Sequence, residues 1–372
     1  MKTFKIEPNI EIYSKAVDFL GAYSFTSKDL VFISGSVYKK HFENGFNGAK
    51  VIFHSDYGKG EPSNLLVDAI LADVCLADYN RIIAIGGGTI IDVAKLLALK
   101  EIQPIVDLFD KNFSAQKERE LILVPTTCGT GSEVTNVSIL EIVERKTKFG
   151  LAVEPLYADT AVLIPELISN LPFSVFATSS IDAFIHAIES YISPKATPFS
   201  MMYSKAAMEM IIEGYKKIVE NGKDYFREIS EDFLIASCYG GIAFGNAGTG
   251  AVHAMSYPLS GAYHVAHGEA NYVFFTMLFK NYQALEPMGK IKELNLFLSE
   301  ILGCASSDVY SELELLFSKI IQKKSLSFYG VKKQELQDFT TNVIEKQTRL
   351  MANSYVPLSY AQVLKMFEEV YE

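Results

Sequence analysis

The chain has no tryptophan and only four cysteines among its 372 residues. Cys75, Cys128, Cys238 and Cys304 stand dozens of residues apart and form no CxxC pair. That spacing excludes a sequence-visible zinc knuckle and argues against a disulfide framework, so they read as small apolar fillers in a reducing cytoplasm. Positive charge is in short supply: 34 Lys and Arg against 44 Asp and Glu leave a net charge of −10. Such a surface repels phosphate backbones and anionic lipid, so neither a nucleic acid nor a membrane is expected as a partner. Long apolar runs are also missing, since the best, residues 272–279 (YVFFTMLF), is far too short to span a bilayer. The first thirteen residues break their apolar content at Glu7, Asn9 and Glu11, so secretion is not expected and a cytoplasmic location is. Histidine is scarce too, yet four of the six, His186, His253, His264 and His267, fall in two short stretches of the second half.

What is present suffices for two domains of about 150 residues or more, with nearly half the residues hydrophobic (49%). Up to about residue 160, short apolar runs at 30–33 (LVFI), 51–53 (VIF), 82–85 (IIAI) and 121–124 (LILV) alternate with helically spaced segments. That alternation predicts a parallel sheet with helices on its faces, followed by a hairpin of 137–143 with 148–153 across the turn 144–147. Pro155, Pro165 and Pro172 punctuate a seam. Beyond it, helical periodicities cover 173–191, 201–219, 232–245, 270–281, 291–302, 310–321 and 360–371. The expected organisation is α/β plus all-α, with a nucleotide-binding domain at 1–165 and a helical domain at 166–372. No 20–50-residue repeat and no low-complexity tract is evident.

Four stretches carry chemistry. RIIAIGGGTIIDVAKLLALK (81–100) reads as strand, Gly86-Gly87-Gly88-Thr89, then helix; backbone amides and a helix N-terminus there suit an anion, and a tight turn without ligand fits equally. LILVPTTCGTGSEVT (121–135) is a strand ending in hydroxyls and glycines, suited to a ligand or to capping a helix. Two such loops at the carboxyl edge of one parallel sheet mark where open α/β sheets bind nucleotides. In SIDAFIHAIE (180–189), Asp182 and His186 are four apart, on one helix face; they suit one ion, as they suit a satisfied core pair. In GAVHAMSYPLSGAYHVAHGEAN (250–271), His253 and His267 are fourteen apart, about 21 Å on one continuous helix. Pro258, Ser260 and Gly261 are expected to interrupt that helix and let the chain fold back, bringing both imidazoles together. One carboxylate and three imidazoles would suit a divalent metal such as Fe(II) or Zn(II), with a position open to substrate.

In this order the four stretches resemble the iron-dependent (group III) alcohol dehydrogenase family, over nearly the whole chain. The resemblance implies a Rossmann-like nucleotide-binding domain followed by a helical metal-binding domain, the dehydroquinate synthase-like architecture, in a homodimer. It implies metal ligation by Asp182, His186, His253 and His267. It places cofactor contacts at Gly86, Gly87, Gly88, Thr89 and Asp92, with the pyrophosphate on the glycines and the amides around Thr89. Thr126, Thr127, Thr130 and Ser132 would line the ribose–nicotinamide side, and Lys148 would reach the ribose. There are departures from the family pattern. Tyr257 stands where many members have a histidine four residues after the third ligand. Near Gly35 the family has an aspartate that disfavours the 2′-phosphate, so NADP(H) stays open beside NAD(H). Glu61-Pro62 replaces a common Asn-Pro, and Ile164-Pro165 a common Asp-Pro. Together with AYHVAHGEANY, this set is most similar to members that interconvert 4-hydroxybutyrate and succinate semialdehyde with NAD(H). Another short alcohol or aldehyde (1,3-propanediol, butanol, lactaldehyde) is the alternative, and an NAD-dependent lyase or cyclase of the related superfamily the more distant one. Tyr257 and His264, with Tyr263, are candidates to relay a proton or meet a substrate carboxylate, and Lys195 is a candidate partner for that carboxylate.

Overall fold

The computed structural model describes every residue except 1, 2, 59, 61, 101, 111–113 and 146. Glu61, and Lys146 of the expected hairpin turn, therefore lie outside the described residues. Two compact units divide the chain: Ile6–Leu171, and Pro172–Glu372 with the described residues before Ile6.

The first unit is built on strands whose residues are apolar at nearly every position because both faces are covered. Its parallel sheet contains β1 (Asn9–Ile12), β2 (Asp29–Ile33), β3 (Lys50–Phe53), β4 (Arg81–Gly86), β5 (Glu120–Pro125) and β8 (Thr160–Leu163), in the order β1-β8-β5-β4-β2-β3. Successive side chains alternate between two cores. Leu30, Phe32, Ile82, Ala84, Leu121 and Leu123 pack on one face, and Val31, Ile33, Ile83, Ile85, Ile122 and Val124 on the other. Helix α1 (Ala16–Ala22) covers the second face, while α2 (Asn64–Asp73) and α3 (Gly88–Leu97) cover the first. The chain runs outward from β2 to β3, then returns to place β4 on the other side of β2. That reversal is the topological switch point, and the Gly86 end of β4 opens onto it. β6 (Val137–Ile142) and β7 (Thr147–Ala152) form the expected antiparallel hairpin, with Val137 opposite Ala152. The sequence patterning misses β1 and β8. β1 (NIEI) is an edge strand that buries too little to show an apolar run, and β8 (TAVL) is only four residues long.

The second unit is helical: α4 (Phe173–Ile192), α5 (Pro198–Asn221), α6 (Ser230–Ala247), α7 (Ala251–Tyr263), α8 (His267–Leu285), α9 (Lys290–Leu302), α10 (Val309–Ser318), α11 (Leu336–Lys346) and α12 (Tyr360–Glu369) are its longer helices. Helix α4 is buried continuously from Ser180 to Ile192, as a helix apolar on every side must be. Any polar side chain in that stretch has to find a partner inside the protein. Among the described residues no helix is long and apolar enough to cross a membrane.

One expectation needs correction. Pro258 does not end a helix, because α7 runs through it to Tyr263. Pro258 is buried inside the helix, where a proline bends a helix without ending it, and Gly261 meets nothing that demands a break. The chain reverses further on, where His264 adopts φ +52° in the left-handed region and α8 begins at His267. The fold-back expected from the sequence does occur, with the His253 and His267 ring centroids 5.3 Å apart.

Candidate metal centre and nucleotide loops

Four side chains converge in the helical unit. Asp182 and His186 lie one turn apart on α4, His253 near the start of α7, and His267 at the first position of α8. Each offers one ligand atom, and the four atoms lie within 4.8 Å of one another. His253 Nε2 is 3.9 Å, and His267 Nε2 3.8 Å, from Asp182 Oδ1. The His186 ring is stacked between Phe244 of α6 and His253, at centroid distances of 4.3 and 4.7 Å.

Close approach of α8 to α4 depends on Gly268. A Cβ there would fall 1.9 Å from the Thr178 carbonyl oxygen and 3.0 Å from Asp182 Cβ. Only glycine lets His267 come down onto the aspartate.

The donor set fits a divalent cation. His253 Nε2 is buried without a hydrogen-bond partner. Leaving such an atom unsatisfied costs about 1–3 kcal/mol, and a bound metal removes that cost. Burial alone would raise the Asp182 carboxyl pKa, but the His267, His186 and His253 imidazoles and the Asn271 amide bring it below the usual carboxylate range. The site is closed around Asp182 and His253, whose side chains are 4% and 3% exposed, and open beside His267, at 30%. One open side is what a catalytic metal site needs and a structural one lacks.

Two further residues complete the site. Asn271, one turn after His267, donates through Nδ2 to Asp182 Oδ1 at 2.7 Å and lies 3.3 Å from His267 Nε2. Glu189 Oε2 lies 2.6 Å from His253 Nδ1. Sequence reasoning assigned neither. Both fall inside the motifs quoted above, and Glu189 shares the α4 face of Asp182 and His186 through its i, i+4, i+7 spacing.

The proposed relay residues lie on the open side or past it. Tyr257 is half-buried, with its ring 6.1 Å from that of His267. His264 is exposed at the C-cap of α7. Tyr263 donates to Glu335 at 2.7 Å, and burial together with that carboxylate pushes its phenol up to about 12. Lys195 is exposed in the turn after α4, whose last six residues beyond His186 span about 9 Å.

In the sheet unit, the two glycine- and threonine-bearing loops lie side by side. Thr126 N–H donates to Gly86 O at 3.0 Å, continuing the β4–β5 register. A Cβ on Gly88 would meet Thr130 Cγ2 at 2.8 Å, and one on Gly87 would lie 3.5 Å from Thr127 Cγ2. The glycines thus let the second loop pack onto the N-terminus of α3, where the first N–H groups lack intrahelical acceptors. Gly87, Gly88, Thr89, Thr127 and Thr130 keep partial exposure, while Gly86 and Thr126 are buried. Asp92 and Ser132 face inward. Ser132 Oγ donates to Asp92 Oδ1 at 2.5 Å and accepts from Lys95 Nζ at 2.6 Å, while Ile139 N–H donates to Asp92 Oδ2 at 3.0 Å. Lys148 lies on β7 opposite Glu141, partly exposed.

The family model of the iron-containing alcohol dehydrogenases matches residues 12–165, and that of the C-terminal part of the Fe-containing alcohol dehydrogenase family matches 176–371. The chain belongs to the iron-containing alcohol dehydrogenase family. It is 48% identical to a 4-hydroxybutyrate dehydrogenase of Clostridium kluyveri over 371 residues, covering 100% of both chains. It is 34% identical to long-chain-alcohol dehydrogenase 1 of Geobacillus thermodenitrificans over 304 residues, 79% of this chain and 75% of the relative. Its fold is that of a sulfoacetaldehyde reductase from Bifidobacterium kashiwanohense solved in complex with NAD+, with TM-score 0.85 and 21% identity over 100% of this chain and 98% of that one.

Proposed function

We propose that this dehydrogenase interconverts 4-hydroxybutyrate and succinate semialdehyde with NAD(H), as a cytoplasmic homodimer. The observation that carries the chemistry is the convergence of Asp182, His186, His253 and His267 around the unpartnered His253 Nε2. The substrate rests on the full-length similarity to the Clostridium kluyveri enzyme. Fe(II) is the expected ion, and the same donors accept Zn(II). When bound, such an ion supplies Lewis-acid polarisation of the substrate's hydroxyl or carbonyl oxygen, and the nicotinamide supplies the hydride chemistry.

The chain's own residues do the rest. Asp182 contributes the negative charge and the three imidazoles the neutral donors. The buried walls exclude water on every side but that of His267. Tyr257, beside that opening, orients the substrate or passes on its proton, with His264 further out. At the sheet edge, Gly86, Gly87, Gly88 and the N–H groups around Thr89 cradle the pyrophosphate. Thr126, Thr127 and Thr130 line the ribose–nicotinamide side, and Lys148 reaches the ribose. Asp92 and Ser132 act one layer down by fixing the threonine loop against α3. With no aspartate near Gly35 to repel a 2′-phosphate, NADP(H) stays open beside NAD(H).

The test is NADH oxidation by the iron-reconstituted protein with succinate semialdehyde, butyraldehyde and lactaldehyde. A charge-assisted contact to the carboxylate is worth about 1.5–3 kcal/mol. The expected kcat/KM preference for succinate semialdehyde is therefore roughly 10- to 100-fold. Equal values on all three overturn the hydroxy-acid assignment and leave the family chemistry standing.

A further inference from the structure

Glu189 is none of the four expected ligands, yet its side chain is 2% exposed. Burying a carboxylate that deeply costs several kcal/mol unless its oxygens are well bonded. Both are. Oε1 accepts the Val252 N–H at 2.7 Å, and Oε2 lies 2.6 Å from His253 Nδ1. Val252 is the second residue of α7, where backbone N–H groups have no intrahelical acceptor. One side chain of α4 therefore caps α7 and grips the imidazole one residue further on. Space for it is provided at Gly250, where a Cβ would lie 3.2 Å from Glu189 Oε1 and 3.3 Å from the Asn353 carbonyl oxygen.

The bond has a consequence for the ring. With Oε2 accepting, Nδ1 carries the imidazole proton and Nε2 presents its lone pair. Nε2 is the atom buried without a partner and facing Asp182. We propose that Glu189 is a positioning residue that locks His253 as the Nδ1–H tautomer, aims Nε2 at the ion, and thereby sets the affinity of the site for a divalent metal. This rests on the reading of Asp182, His186, His253 and His267 as the metal centre. Carboxylates that hold a ligating histidine in this way affect metal affinity by about 10- to 100-fold in other sites.

The experiment is a competition titration of the metal-stripped full chain with Zn(II) against a chromophoric chelator, for wild type, Glu189→Gln and Glu189→Ala. Glutamine keeps the shape but cannot accept from both Val252 N–H and His253 Nδ1–H. Zn(II) binding by E189Q is expected to weaken about 10- to 100-fold while the far-ultraviolet circular dichroism of the stripped protein stays that of wild type. Nitrogen-15 histidine spectra of the Zn(II)-loaded wild type should show His253 protonated at Nδ1 and coordinated through Nε2. A folded E189Q that binds Zn(II) within twofold of wild type overturns the proposal, as does coordination of His253 through Nδ1. If both variants fail to fold, the wild-type histidine spectrum decides alone. A wild type that takes up no Zn(II) overturns the metal centre itself; one that binds, but is insensitive to E189Q, overturns only the role of Glu189.

Discussion

Asp92 and Asp182 are both buried aspartates on helices, one in each unit of the chain. Around Asp92 the chain brings its own cation. Lys95 Nζ lies 3.8 Å away and donates to Ser132, Thr135 and the Val137 carbonyl, while Ser132 and the Ile139 N–H bond the carboxylate. Around Asp182 are three imidazoles and an amide, and one imidazole nitrogen points inward with nothing to bond. The first network is closed and holds a loop on a helix. The second leaves that nitrogen open, and the proposed ion would complete it. A buried carboxylate thus marks a ligand site when the charge that balances it has to come from outside.

That contrast breaks if the two networks respond alike to substitution. Asp182→Ala should abolish metal uptake, measured as metal per chain by elemental analysis. It should lower kcat by roughly a thousandfold, the rate equivalent of several kcal/mol of Lewis-acid stabilisation. Lys95→Met should act in the opposite sense, with metal content unchanged and denaturant unfolding showing a loss of about 3–5 kcal/mol, because a buried carboxylate is left without its cation. Metal loss in Lys95→Met would erase the distinction.

The smallest effect sharpens the closed network. Burial of Glu133 raises its carboxyl to about 7, against the weaker opposing pull of its own backbone N–H and of Lys95. Neither oxygen has a hydrogen-bond partner. Burial likewise pulls Lys95 down to about 8. Between roughly pH 4.5 and 7 the folded chain holds a proton on Glu133 that the unfolded chain has released. The stability from Glu133 is therefore fully present at low pH and is lost as pH rises through 7. Glu133→Gln should match wild type below pH 4.5 and exceed it by about 3 kcal/mol above pH 7, read from unfolding of the metal-stripped proteins. A difference that does not change with pH contradicts this.

Much of this was legible before the structure, for particular reasons. The runs in β2 to β5 are apolar on both faces and so stand out, whereas β1 alternates at an edge and hides. The four candidate ligands are legible because histidine is scarce here and Asp182 and His186 fall one turn apart. Their convergence with His253 and His267 was anticipated, but at the wrong hinge: Pro258 is the usual helix breaker, and the turn is made by His264 in a left-handed conformation that glycine more often takes. Glu189 and Asn271 were invisible as functional groups, since only the folded packing of α7 and α8 on α4 brings them to His253 and Asp182. Gly268 is similar. Its need to be glycine arises from the Thr178 carbonyl, 90 positions away in sequence.

The central claim is that these four side chains hold one ion. Anomalous diffraction at the iron edge from crystals of the iron-loaded protein tests it directly. The account predicts a single strong peak at about 2.0–2.2 Å from the Asp182 carboxylate, a ring nitrogen of His186, and Nε2 of His253 and His267. A peak elsewhere, or none with iron present in excess, contradicts it.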